Sequence, residues 1–133
     1  MSNYLPIAVT GVSLLLLSAS PSLLWAADGA PPDSGELAFN NNCRTCHSTK
    51  LGDNRLGPSL AHVVGARSGS QSGYPNYSQA MKTAGITWDE KSLDRFIANP
   101  DNVVPNNNMK PFKGVPDPAV RKAIIEHLKS GSG

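Results

Sequence analysis

Apolar residues are spread very unevenly along this chain. Between Tyr4 and Ala27 no charged side chain occurs, and "GVSLLLLSAS" is the most apolar stretch of all. An apolar run followed by the Pro21 break and the small residues around Ala26–Gly29 reads as an export signal. The span is also long enough to cross a bilayer, and no Lys or Arg precedes it. Residues 1–27 are therefore read as a signal peptide or an uncleaved N-terminal anchor, with 28–33 as a linker. On either reading the remainder leaves the cytoplasm.

After Asp28 the apolar positions fall into short helical groups separated by long polar stretches. Asp33 or Ser34 caps a first helix, with Asp33 and Glu36 as a capping-box-like pair, and this helix carries Leu37, Ala38 and Phe39. Gly35 in its first turn costs helix stability unless a close partner needs the space. From Ser48 to Tyr77 the chain is rich in Gly, Ser and Asn and reads as wrapping loop, followed by a short helix over Ser78–Ala84. Thr87, with Glu90 three residues on, predicts the cap of another helix whose apolar face is Leu93, Phe96 and Ile97; Asn99–Pro100 stops it. Asp117 and Pro118 then open a last helix, with Val120, Ala123, Ile124, His127 and Leu128 facing inward. The pattern predicts an all-α domain over 34–129 and a flexible end over 130–133. There are no repeats, nucleotide loops or carboxylate constellations.

Composition sharpens this picture. The chain has 133 residues, enough for one domain, but it is only 39% hydrophobic and holds 12 Gly and 11 Pro, so much of it must be loop. Past the leader, Trp88 is the only tryptophan, accompanied by Phe39, Phe96, Phe112, Tyr74 and Tyr77. So small a core normally needs a disulfide, metal or cofactor to hold it together. The formal charge of +2 is too mild and too interspersed for nucleic-acid binding.

The missing support is found in "NNCRTCHSTK", which contains both cysteines of the chain, Cys43 and Cys46, with His47 directly after them. A bridge between cysteines so close would close a tiny loop and stabilise little. A redox dithiol would sit in a βαβ setting, and no β-branched runs flank this site. Structural zinc wants four ligands, normally in pairs, and the remaining histidines, His62 and His127, form none. C-x-x-C-H is the attachment signature of a c-type haem. The two thiols reach the two vinyl-derived carbons of one porphyrin, and the adjacent imidazole binds the iron.

The second axial ligand decides whether such an iron carries electrons or binds small molecules. Met109 stands in "VVPNNNMKPFKGVP", which three prolines and three asparagines keep irregular. A thioether in a long irregular loop has no packing reason to be there, which points to Met109 as the ligand. Met81 lies in a short helical pattern as core filler. His127 lies on the apolar side of the last helix, and His62 just past a turn at Gly57–Pro58 suits a surface place.

With "CRTCH", "LGPSL", "NYSQAMKTAGITW" and "VPNNNMKPFKG" in this order, the chain resembles the class I cytochromes c of the mitochondrial and bacterial c2 type, over about residues 34–129. The resemblance implies a cytochrome c fold of short helices and long loops around one haem c, joined covalently through Cys43 and Cys46. It implies His47 and Met109 as axial ligands and the Pro58 carbonyl as acceptor of the His47 Nδ1–H. Tyr77 and Trp88 match residues that hydrogen-bond a buried propionate, and Gly35 and Phe39 match one side of a terminal helix crossing, with Ile124, His127 and Leu128 opposite. Some positions depart from the family. Arg67 lies one residue beyond the place of the propionate arginine, and an extra residue falls around Pro75–Asn76. Asn106 stands where glycine is common, and Asn107 replaces a threonine that donates to a propionate, a role an amide can keep. Asn108 replaces a lysine, and His127 an aromatic, adding mild pH sensitivity.

The function so implied is single-electron transfer in the bacterial periplasm, not enzymatic catalysis, by a monomer that touches the membrane only through an uncleaved leader. Its partners would be redox proteins: a donor such as a bc1-type complex or a dehydrogenase, and an acceptor such as a terminal oxidase or reductase. Lys50, Lys110 and Lys113 are candidates for steering them. The rival readings are a dedicated haem subunit of a periplasmic dehydrogenase, and a peroxidase-like or gas-binding protein with an open iron position.

Overall fold

A computed structural model describes Met1 and residues 34–131; the leader, the linker, the Asp33 cap and the last two residues of the C-terminal tail lie outside the described residues. The described helices are α1 (Ser34–Asn42), α2 (Gln79–Thr83), α3 (Glu90–Ala98), α4 (Pro100–Val103) and α5 (Pro118–Lys129). Strands are absent among the described residues, where a lone antiparallel bridge joins Arg67 to Thr87. The all-α expectation therefore holds. None of the described helices is long and apolar enough to cross a membrane.

The terminal helices form the frame. Asp117 caps α5, its Oδ1 accepting the Ala119 N–H at 2.8 Å, and Pro118 takes the first helical position, where a missing N–H costs nothing. Ile124, His127 and Leu128 of α5 are buried and face α1, whose buried residues are Gly35 and Phe39. The His127 and Phe39 rings lie 5.5 Å apart. The small Gly35 sits on the buried side of α1, which accounts for a residue that otherwise weakens a helix.

Two helix boundaries differ from expectation. The cap of α3 is Asp89, not Thr87. Asp89 Oδ1 accepts the Ser92 N–H at 2.7 Å while Ser92 Oγ accepts the Asp89 N–H at 2.8 Å, a reciprocal pair that satisfies two otherwise orphaned donors. Thr87 cannot serve because its stretch is held laterally: it bridges Arg67, the Trp88 N–H binds Ala66 O at 2.9 Å, and Trp88 O accepts from Gly65 at 2.7 Å. Asn99–Pro100, expected only to stop α3, also begins α4. Asn99 closes α3 through its N–H to Arg95 O, and its side chain caps the Asp101 and Asn102 N–H groups. Ser78 caps α2, inside the range the sequence predicts.

The core is divided. One cluster holds Met81, Trp88, Leu93, Phe96, Val104 and Ile125, and the other Phe39, Val115, Ile124 and Leu128. Val63 and Ile97 touch both. Cys43 packs on the second cluster and Met109 on the first, so the two candidate attachment regions belong to different halves of the core.

Candidate functional site

The turn after α1 places the cysteines. The Cys43 N–H binds Phe39 O at 2.7 Å, and the Cys46 and His47 N–H groups both bind Cys43 O, at 3.1 and 2.9 Å. The helix thus tightens into one more turn that carries both thiols and the imidazole. Both cysteines are unbridged and half-buried. Burial, reinforced by the neighbouring Cys46, pushes the Cys43 thiol up to about 12. It is a protonated thiol here, not an exposed reactive thiolate.

His47 is buried, and its Nδ1 lies 2.7 Å from Pro58 O. A carbonyl oxygen can only accept, so Nδ1 carries the hydrogen and Nε2 keeps its lone pair. Burial pushes the imidazole pKa down, with the Pro58 bond opposing it, so the neutral ring is favoured. Gly57 forms the wall beside the ring. A Cβ there would lie 2.3 Å from His47 Cε1 and 2.7 Å from Nδ1. Gly57 is pinned from both sides, its N–H on Cys46 O at 2.8 Å and its carbonyl accepting from Arg55 at 2.9 Å.

The Met109 segment is built differently. Asn106 adopts the left-handed region (φ 63°), as the family resemblance, with glycine common at that place, implies. Asn107 is buried; its Oδ1 accepts the Met109 N–H at 2.9 Å, and its Nδ2 donates to Asp101 Oδ1 and Val104 O, each at 2.9 Å. Asn108 Nδ2 donates to Asn76 O at 3.0 Å, across to the loop before Tyr77. Lys110 pairs with Asp101. Beyond it, Gly114 (φ +110°) lies so close to α3 that a Cβ would fall 2.1 Å from Ala98 O. Met109 itself is half-buried against the first core cluster.

The other predicted site residues are distributed around this cluster. Trp88 is buried, its ring 4.9 Å from that of Phe96, and Tyr77 packs on the same cluster as Met109. The Tyr77 oxygen accepts the Gln71 N–H at 3.3 Å, which leaves the hydroxyl hydrogen to donate elsewhere. Arg67 is exposed, anchored by its backbone bridge beside Trp88. Both amide hydrogens of Asn107 are engaged within the protein, on Asp101 and Val104. Of the rival axial candidates, Met81 is core in α2, His62 is exposed and His127 is packed at the helix crossing.

Three participants carry no readable signal in the chain. Gly57 reads as an ordinary turn residue before Pro58, Asp101 as a surface acid and Asn76 as loop. Only the fold sets the first against an imidazole and the others against the Met109 segment.

The donor set suits a covalently attached haem. Two unbridged thiols and a neutral imidazole with a free Nε2 leave one short turn, and the glycine wall holds that ring in one plane. Comparison with known proteins agrees. Residues 33–132 match the family model for cytochrome c. The chain is 43% identical over 88 residues to cytochrome c2 iso-2 of Magnetospirillum molischianum, covering 66% of this chain and 89% of that one. It is 39% identical over 119 residues to cytochrome c2 of Rhodomicrobium vannielii, covering 84% and 90%. Among solved structures, cytochrome cH from Methylobacterium extorquens superimposes with a TM-score of 0.66 at 40% identity, covering 73% of this chain and 95% of that one.

Proposed function

The chain belongs to the cytochrome c family, and from that premise we propose that it passes single electrons between redox proteins outside the cytoplasm, with His47 and Met109 as the two axial ligands of its iron. As a member of that family it is a mono-haem electron-transfer protein and not an enzyme, with haem c joined to Cys43 and Cys46. When bound, haem c supplies an iron that alternates between ferric and ferrous.

The observation that carries the proposal is the His47 Nδ1–H bond to Pro58 O at 2.7 Å. It selects the tautomer whose Nε2 can bind metal, fixes the ring and raises its basicity. Met109 offers a soft thioether from the opposite half of the core, and such a His/Met pair leaves the metal no open position and raises its potential. Tyr77 through its uncommitted hydroxyl hydrogen and Trp88 through its indole N–H would be the donors for a propionate, with the exposed Arg67 as an added positive charge. Burial of Trp88 against Phe96 keeps water from that region. Donors of the bc1 or dehydrogenase kind and oxidase or reductase acceptors suit a periplasmic protein exported by residues 1–27. Lys50 and Lys113 are exposed and suited to steering such encounters, whereas Lys110 is drawn toward Asp101.

An optical spectrum of the haem-loaded ferric protein tests the ligand pair. The weak near-red band of methionine–iron ligation is expected in the wild type and absent in Met109→Ala. A wild-type protein without the band that binds carbon monoxide readily in its ferrous state would overturn the reading in favour of an open iron.

A further inference from the structure

The run Asn106–Asn107–Asn108 is more than a polar loop. Each asparagine does a separate structural task around Met109. Asn106 supplies the left-handed backbone step. Asn108 fastens the loop to Asn76 O, 32 positions earlier in the chain. Asn107, only 4% exposed, is the centre: one acceptor and two donors, all three used, on Met109 N–H, Asp101 Oδ1 and Val104 O. Asp101 is the hinge between this amide and the Lys110 ammonium, since its Oδ1 accepts from Asn107 while its Oδ2 faces Lys110. The residues immediately before and after Met109 are thus both tied down by side-chain bonds. The Met109 carbonyl is held as well, accepting from the Phe112 N–H at 2.8 Å.

We propose that Asn107 and Asp101 are positioning residues for Met109: their hydrogen-bond chain holds the thioether's backbone in place and so sets how often the Met109 side of the iron opens. This rests on the reading of Met109 as an axial ligand. The physical reason is local. A polar loop with no regular structure has few apolar contacts to resist opening, and its free energy of local opening is set by the hydrogen bonds it makes. A buried amide with all three bonds made resists displacement, because any movement leaves a buried polar group without a partner. Asn107 in this role cannot also donate to a propionate, so its mutation reports on the loop and not on the cofactor's carboxylates.

The test uses haem-loaded ferric protein in four forms: wild type, Asn107→Ala, Asp101→Ala and Asp101→Asn. The near-red band, the rate of cyanide binding and the urea midpoint are measured on each. Asn107→Ala is expected to weaken the band and speed cyanide binding on the order of tenfold, the factor one lost buried hydrogen bond is worth. Asp101→Ala moves the same way by less, and Asp101→Asn, which keeps the acceptor oxygen, returns close to wild type. A merely structural role would lower the urea midpoint with the cyanide rate unchanged, and that result overturns the proposal. Should Asn107→Ala fail to take up haem, amide hydrogen exchange of the wild type decides. A Met109 N–H protected well above its Asn108 neighbour supports the clamp, and an unprotected one refutes it. A wild type without the near-red band removes the ligand reading itself, while Met109 amide protection still reports on the clamp separately.

Discussion

The segment 43–60 and the segment 103–116 both present a candidate iron ligand, yet the residues next to each ligand are held by different means. In the first, backbone bonds bracket the ligand, Cys43 to Phe39, His47 to Cys43, Gly57 to Cys46 and Leu60 to Ser48 at 2.7 Å, while side-chain bonds of Ser48, Asn54 and Ser59 brace the loop between. The ligand side chain then has one partner, the Pro58 carbonyl, and one wall, Gly57. In the second, backbone bonds close turns at Asn107 and at the Met109 carbonyl, but the Met109 N–H itself and Asn108 are held by side-chain amides. The difference shows how a small protein can fix one candidate ligand through its backbone and leave the other on a loop whose grip depends on polar side chains. Backbone bonds survive most substitutions, whereas a side-chain clamp can be removed one residue at a time.

The comparison can be broken hardest at the end of the second segment. Gly114→Ala meets both a left-handed backbone and the Ala98 carbonyl, which sits in α3 and cannot rotate away. A loss of roughly 2–5 kcal/mol is expected, read as a lowered urea midpoint. Gly57→Ala attacks the first segment through the ring, since Gly57 is not among the positive-φ residues and the three atoms nearest the added methyl all belong to the His47 imidazole. The imidazole must turn or shift off Pro58, at a cost of about 2–4 kcal/mol. Weakening the Nδ1–H bond lowers the basicity of Nε2, so the reduction potential of the haem-loaded variant should rise. A redox titration showing the wild-type potential would mean the ring tolerates the methyl without leaving its acceptor.

The smallest effect sharpens the contrast by pH. The Lys110 ammonium beside Asp101, helped by the Asn107 amide, holds that carboxyl below its ordinary 3.8. A carboxyl depressed by folding contributes stability above its unfolded value and loses it as pH falls through the folded one. Acid below about pH 4 should therefore loosen the Met109 segment and weaken the near-red band. The His47–Pro58 bond involves no carboxylate and should persist. A band that keeps full strength until the whole molecule unfolds would show that Asp101 acts only through its neutral geometry.

Much of this was readable from residue types and spacing because it is local. C-x-x-C-H specifies its own chemistry within five positions, and the Asp117–Pro118 start and the Val120–Leu128 stripe specify a helix without reference to anything distant. Asn106 as a left-handed step was implied by the family resemblance, in which glycine commonly stands at that place. The cap of α3 was misread because Thr87 and Glu90 satisfy a local pattern that the bridge to Arg67 overrides. Asn107 was matched by position to a propionate donor, while its actual partners depend on how α4 turns Asp101 toward it.

The sequence by itself determined the attachment turn, the last helix and the class of cofactor. These depend on neighbours in the chain, whose spacing the covalent backbone dictates. The tertiary structure alone decided which glycine walls an imidazole, which acid braces the methionine loop and how the core divides between two clusters. Those depend on groups brought together from distant positions, and only the packing of the whole chain sets the distances at which hydrogen bonds and steric limits act.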